Sequence, residues 1–145
     1  MRLRPHHLLD IITQHGADVP FVPHPYGHAV HTVAEAVLAD PDVTIEFVVG
    51  ADDICAPCKH LIAGRCDDVL SQLDPPLSKQ DYNDDLDRRV LRHLGMDEGE
   101  ELTSRKFVAI VREHLPGIAE VCAHPNEDSA ERLARLTAGL SALSV

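Results

Sequence analysis

The chain has 145 residues, carries a formal net charge of −11 with its histidines neutral, and is 44% hydrophobic. This length fits one domain, residues 1–145, and the apolar share is large enough for a core, which excludes wholesale disorder. The acidic balance argues against nucleic acid and anionic membranes as partners, because both are negatively charged.

The first half of the sequence predicts two helices and one strand. Pro5 and Gly16 are typical of a helix start and a helix end, so a helix is expected between them. A proline-rich segment leads to a second predicted helix over 27–39, where valines and alanines recur with helical spacing. Residues 43–49 are β-branched and partly alternate, which makes them the one convincing strand.

The second half of the sequence is expected to be almost entirely helical. Apolar periodicity and capping residues mark the segments. The predicted elements are a short helix over 66–73, a polar helix over 81–94, a helix from Thr103 or Ser104 to Leu115, a short turn carrying Cys122, and a final helix over 126–143. The expected fold class is mostly α within the α+β class: a small helical domain with at most a minor β element and a metal-binding cysteine loop.

The N-terminal segment bears on the compartment in which the protein works. It has no run of about 18 apolar residues, as a membrane span requires. Asp10 interrupts its short apolar stretch, and no small-residue cleavage site follows, unlike in a secretory signal. We therefore expect a cytoplasmic protein, in which clustered cysteines indicate metal binding or redox chemistry rather than disulfides.

The most informative feature of the sequence is a loop that carries three of its four cysteines. Cys55 and Cys58 form a Cys-x-x-Cys knuckle stiffened by Pro57, and Cys66 follows after Gly64, where the chain can double back. Cys122 is the remaining thiol and hence a candidate fourth ligand. Iron–sulfur clusters and structural zinc both use such sets, so both remain open.

A third interpretation treats the same knuckle as a thiol–disulfide active site. The strand followed by Cys55-Ala56-Pro57-Cys58 looks superficially like the corresponding segment of thioredoxin-like proteins, whose first cysteine is a nucleophile. That fold needs several strands after the motif, whereas residues 67–145 are predicted to be helical. This alternative is therefore weaker than metal binding.

Two motifs stand out along the chain. The first is Arg4-Pro5-His6-His7-Leu8-Leu9, and the second is Gly50-Ala51-Asp52-Asp53-Ile54-Cys55 with Cys58 and a further cysteine, Cys66. With the segment Asp87-Arg88-Arg89-Val90-Leu91, they resemble a domain-of-unknown-function family of short bacterial and archaeal proteins suspected of binding an iron–sulfur cluster. The resemblance implies that Cys55, Cys58 and Cys66 are ligands.

The sequence departs from that family at the position of a further ligand. Asp10 stands where the family has a cysteine, and of a later cysteine-rich knuckle only Cys122 remains. The fourth ligand is therefore expected to be Cys122, with Asp10 as its competitor. An open position, or one filled by a histidine, is the third possibility.

Several histidines are further candidate ligands. His6 and His7 could bind metal or donate hydrogen bonds to a cluster, although capping a helix and packing against an acid is the interpretation that we favour. His24, His28 and His31 recur at about helical spacing, so they could hold a second divalent ion. Solvent-exposed histidines are the more common outcome of such a pattern.

The sequence therefore predicts an iron–sulfur protein with a 4Fe–4S cluster in preference to 2Fe–2S. Electron transfer, redox sensing or cluster handling with an unidentified redox partner protein is expected, rather than independent catalysis. The alternatives are a structural zinc module at Cys55, Cys58, Cys66 and Cys122 and a thiol–disulfide oxidoreductase.

Overall fold

A computed structural model of the chain describes residues 1–143. Its helices are α1 (Pro5–Gly16), α2 (Val30–Ala39), α3 (Lys79–Leu94), α4 (Ser104–Glu113), α5 (Gly117–Cys122) and α6 (Ser129–Ala142). Its strands are β1 (Arg2–Leu3), β2 (Thr44–Phe47), β3 (Leu61–Ile62), β4 (Arg65–Cys66), β5 (Val69–Leu70), β6 (Leu77–Ser78) and β7 (Glu101–Thr103). The expected mostly α, mixed α+β class is confirmed. Among the helices of residues 1–143, none is long and apolar enough to cross a bilayer.

A small sheet anchors the N-terminus beside the middle of the chain. Its strand order is β1-β2-β7, with β1 parallel and β7 antiparallel to β2. The predicted strand over 43–49 is confirmed in its central part as β2. The sequence missed β1 and β7, because two or three residues are too few to show an alternating pattern.

Helices α1 and α6 pack backbone to backbone through two glycines. A Cβ atom at Gly139 would lie 2.0 Å from the Ile12 carbonyl oxygen, and one at Gly16 would lie 1.9 Å from the Arg135 carbonyl oxygen. Only glycine permits this approach. Gly16 therefore serves the packing of α1, in addition to marking the end of that helix.

The predicted helix boundaries are close to those observed, with three corrections. The second helix begins at Val30 rather than Gly27, because Gly27 has a positive φ of 77° and lies in a turn that precedes it. The predicted helix over 66–73 is wrong. Two-residue segments there form β4 and β5, which pair with β3 and β6 as two hairpins. Cys122 ends a short helix, α5, instead of lying in a turn.

Candidate metal centre

The three cysteines of the loop line one cavity of about 80 Å³. Cys55, Cys58 and Cys66 are each partly buried and free of disulfides. The structure therefore brings together the three residues that the loop sequence grouped. The same cavity is lined by residues from the start of α1, the segment before α2, the cysteine loop itself and the start of α3. Among them are Arg4, His7, Tyr26, His28, His60, Lys79 and Asn83.

Local hydrogen bonds fold the cysteine loop so that its thiols share this cavity. The Cys58 amide donates to the Cys55 carbonyl at 2.9 Å, which closes the expected knuckle. Ala63 and Gly64, both with positive φ, connect β3 to β4 in a tight turn that returns the chain. The amide of Cys66 then donates to Gln80 Oε1 of α3 at 2.8 Å, which fixes the third cysteine against a helix.

Asp52 joins this loop to the start of α1. One carboxylate oxygen accepts from the amides of Ile54 and Cys55, both at 3.1 Å. The other accepts from the Arg4 amide at 2.7 Å and from His7 Nδ1 at 2.7 Å. Burial opposes the charge of this carboxyl, but His7 and the backbone amides hold its pKa well below the usual range. Asp52 is therefore a buried, ionised carboxylate whose hydrogen bonds hold the cysteine loop against the start of α1.

A second buried carboxylate, Asp87 of α3, organises the other side of the same helix start. It accepts from the His6 amide at 2.9 Å, from His6 Nδ1 at 2.8 Å and from the Arg4 guanidinium at 2.8 Å. Since α1 has no capping side chain of its own, Asp87 supplies that function from α3. His6 and His7 thus each pack against an acid, as expected, but neither side chain caps the helix.

Two buried polar atoms beside the cysteines have no hydrogen-bond partner within residues 1–143. Arg4 is 2% exposed, and its terminal nitrogens bond to Asp87 and Asp84, but its Nε finds no acceptor among the described residues. His28 Nδ1 is likewise buried and unpaired there. Both residues line the cysteine cavity. Unpaired buried donors are rare, so Arg4 Nε indicates a missing acceptor in or near this cavity. His28 Nδ1 is a second donor there in the tautomer that carries its proton on this nitrogen.

Cys122 and Asp10 meet in a different cluster. Among residues 1–143, neither Cys122 nor Asp10 belongs to the lining of the cysteine cavity. Cys122 is fully buried and accepts from Arg132 Nε at 3.4 Å, while the Arg132 guanidinium bonds to Asp10 at 2.8 Å. His124 Nε2 also lies 3.0 Å from Asp10. Burial raises the pKa of the Cys122 thiol despite the nearby guanidinium. The two candidates for a fourth ligand are thus neighbours of each other.

The histidines at positions 24, 28 and 31 do not form a compact ligand set. The rings of His24 and His28 stack with their centroids 4.2 Å apart, and His24 Nδ1 accepts from the Tyr26 amide at 3.1 Å. Among residues 1–143, one group of three possible ligands has all of its ligand atoms within 4.8 Å of one another. It consists of His7, Asp52 and Cys55.

The protonation of Cys55 is unusual for a reactive thiol. Burial and the adjacent Asp52 carboxylate raise its pKa to about 12. A cysteine nucleophile needs the opposite shift, because only the thiolate attacks a disulfide. A bound cation would supply the positive charge that a Cys55 thiolate lacks here.

A comparison with known families gives a match. A model of the family described as "Protein of unknown function (DUF1284)" matches residues 24–126. The chain belongs to this family. The matched region contains all four cysteines, whereas the Arg-Pro-His-His-Leu-Leu motif lies before it. Neither the curated proteins nor the solved structures contain a significant match.

Sequence reasoning grouped the thiols but missed the carboxylates that support them. Asp52 and Asp87 both lie in segments singled out by the resemblance, yet their role depends on contacts 45 and 81 residues away. The signal in the sequence was that the N-terminus of α1 offers no Ser, Thr, Asp or Asn as a cap. A cap for α1 therefore had to come from elsewhere in the chain.

Proposed function

We propose that this protein holds an iron–sulfur cluster, 4Fe–4S in preference to 2Fe–2S, on Cys55, Cys58 and Cys66. The observation that carries the proposal is that the three thiols line one cavity without forming a compact set. No group of residues 1–143 that includes all three has its ligand atoms within 4.8 Å of one another.

This spacing favours a cluster over a single ion. Tetrahedral zinc with Zn–S bonds of about 2.3 Å requires its sulfur ligands to lie about 3.8 Å apart. In a cluster, each thiolate binds a different iron atom, so the sulfurs are held farther apart around a larger core. The wider arrangement of these cysteines therefore suits the larger group.

His7 is the residue best suited to the fourth position. It lines the cysteine cavity, and its Nδ1 is held by Asp52, which leaves Nε2 as the nitrogen available for a metal. A carboxylate on the far nitrogen is the usual support of a histidine ligand, because it fixes the tautomer and the orientation of the ring. Cys122 and Asp10, by contrast, bond to Arg132.

The surroundings of the cavity suit the sulfur atoms of a cluster. The unpaired Nε of Arg4 and Nδ1 of His28 could donate to cluster or cysteine sulfurs, which would satisfy both atoms. Such hydrogen bonds to sulfur are among the factors that set a cluster's reduction potential. When bound, the cluster supplies one-electron redox chemistry, so we propose electron transfer, redox sensing or cluster handling with an unidentified redox partner in the cytoplasm.

Anaerobic reconstitution with iron and sulfide tests the proposal. We expect the wild-type protein to gain visible charge-transfer absorption and, after reduction, a cluster signal in electron paramagnetic resonance. Cys66→Ser should lose most of both signals. Cys122→Ser and Asp10→Ala serve as matched controls, and both should keep them. A wild-type protein that stays colourless and iron-free after reconstitution would overturn the proposal.

A single zinc ion is the second candidate, and one observation favours it. His7, Asp52 and Cys55 place their ligand atoms within 4.8 Å of one another. Against this, both carboxylate oxygens of Asp52 already accept two hydrogen bonds each. Metal analysis separates the two candidates, because zinc would bind without sulfide and without colour.

The thiol–disulfide alternative has less physical support than either metal site. A Cys55 pKa of about 12 leaves almost no thiolate at neutral pH, whereas the first cysteine of such enzymes has a lowered pKa. An insulin-reduction assay on the wild type and Cys55→Ser tests this alternative directly.

A further inference from the structure

A larger cavity of about 560 Å³ opens beside the cysteine cavity. Its walls come from α1, the segment before α2, the start of α3 and the turn after α5. It shares His7, His28, Ile54, Lys79 and Asn83 with the cysteine cavity. Its volume lies within the range of about 300–1,000 Å³ that is typical of small-molecule sites.

The walls of this large cavity are rich in ring and ammonium nitrogens for so acidic a protein. Five histidines and Lys79 line it, and Asp10 is the one acid among its described lining residues. Asp10 is already neutralised by Arg132 at 2.8 Å and lies 3.0 Å from His124 Nε2. The chain as a whole carries a net charge of −11. The cavity is therefore a local exception that favours a negatively charged ligand.

Helix α3 presents the donors that could bind an anion. Lys79 and Asn83 are four residues apart on α3, so they lie on the same face of the helix, and both line the cavity. The side-chain amide of Asn83 has no hydrogen-bond partner among residues 1–143. The Lys79 ammonium pairs with Asp68 at 3.4 Å and lies 5.8 Å from the centroid of the Tyr26 ring. An ammonium has three donors, so a carboxylate or phosphate could add a partner to Lys79 without displacing Asp68.

His6 adds a second polar group to the same cavity. Its Nδ1 is held by Asp87 at 2.8 Å, which leaves Nε2 as the ring nitrogen that can pair with a ligand. A hydroxyl group both donates and accepts, so it can pair with this nitrogen in either protonation state. A ligand that matches both His6 and α3 must therefore carry an anionic group for Lys79 and Asn83 and a hydroxyl group for His6.

We propose that this cavity is a binding site for a small organic anion that also bears a hydroxyl group, such as a hydroxycarboxylate or a sugar phosphate. The site adjoins the cysteine cavity through the shared wall formed by His7 and His28. The ligand would therefore lie beside the proposed cluster. Binding itself does not require the cluster, so the two proposals can fail separately.

Isothermal titration calorimetry on the purified protein tests this site with two matched pairs of probes. Malate and succinate differ by one hydroxyl group, and glycerol 3-phosphate and glycerol differ by the phosphate. We expect malate or glycerol 3-phosphate to bind, and its counterpart to bind at least about tenfold more weakly, as the loss of a hydrogen bond or a charge predicts. Which probe binds decides between the two ligand classes.

Two lysine variants distinguish this cavity from general charge effects. Lys79→Met keeps the aliphatic stem and should weaken binding by about tenfold or more, since a charge-assisted hydrogen bond is lost. Lys106→Met, at an exposed position of α4, removes the same charge elsewhere and should leave binding unchanged. Absence of binding by both malate and glycerol 3-phosphate, or equal weakening by the two variants, would overturn the proposal.

Discussion

The carboxylate of Asp52 lies 2.7 Å from Nδ1 of His7 and connects the cysteine loop to the first helix. The two residues are 45 positions apart, and Asp52 also accepts from the amide of Cys55. This pair therefore links the orientation of a candidate ligand to the backbone of the cysteine knuckle. These two contacts give a structural role to the acid that precedes the Cys-x-x-Cys knuckle in the sequence.

Asp52→Asn should weaken metal retention by about 10–100-fold, the usual effect of losing the carboxylate behind a histidine ligand. The amide side chain keeps the volume of Asp52 but loses the charge and one acceptor oxygen. Chelator competition on the reconstituted protein measures the effect. Asp53→Asn is the matched control, because Asp53 accepts from the Arg2 amide and has no contact with His7. Equal losses in both variants would contradict the assigned role of Asp52.

His7→Ala should lose most of the bound iron, whereas His60→Ala should keep most of it. Both rings line the cysteine cavity, and both are held through Nδ1 by a carboxylate, Asp52 for His7 and Asp67 for His60. The difference is that Asp67 is an exposed partner on the hairpin, whereas Asp52 is buried in the knuckle. Iron and sulfide content after gel filtration measures the result. Full retention by His7→Ala would show that His7 is not the fourth ligand.

Acid should destabilise the protein partly through Asp10. Burial alone would raise the pKa of this carboxyl, but His124 and Arg132 hold it well below the usual range. A lowered pKa in the folded state contributes stability that is complete above the unfolded value of about 4 and is lost as the pH falls below it.

Urea unfolding of Asp10→Asn at pH 7 and pH 3 checks this expectation. The variant should be less stable than the wild type at pH 7, because the buried guanidinium of Arg132 loses its closest carboxylate. It should also lose less stability between the two pH values. Asp18→Asn, at an exposed position, should leave the wild-type pH dependence unchanged. If Asp10→Asn and the wild type lost the same amount of stability between pH 7 and pH 3, the role assigned to Asp10 would be contradicted.

Gly139→Ala should destabilise the fold by about 3 kcal/mol, since overpacking at a close helix crossing forces the backbones apart. The added Cβ would lie 2.0 Å from the Ile12 carbonyl oxygen. Thr137→Ala, at an exposed position of the same helix, should be neutral or slightly stabilising. Thermal unfolding followed by circular dichroism compares the two variants. A Gly139→Ala protein as stable as the wild type would show that the crossing is looser than described.

The sequence predicted most helices well because their signals are local. The Pro5 start of α1 and the Thr103 cap of α4 are each determined by a few neighbouring residues. The strands were largely missed, because pairs of two or three residues are formed by their partners and not by their own pattern. The error over 66–73 has the same origin: hairpins of two-residue strands leave no periodic signal.

The candidate site was only partly predictable for a similar reason. Spacing along the chain brought Cys55, Cys58 and Cys66 together. The separation of Cys122 depends on how α6 packs against both α1 and α5, because Arg132 of α6 bonds to both Cys122 and Asp10 there. A count of thiols could not anticipate this contact. The buried arginine that decides it lies ten residues beyond the last cysteine.

The most direct test of the central claim is the iron, acid-labile sulfide and zinc content of wild-type protein purified without oxygen. The account predicts iron and sulfide in nearly equal amounts, close to four of each per chain for a 4Fe–4S cluster, with little zinc. Stoichiometric zinc without sulfide, or a metal-free protein that cannot be reconstituted, would contradict it.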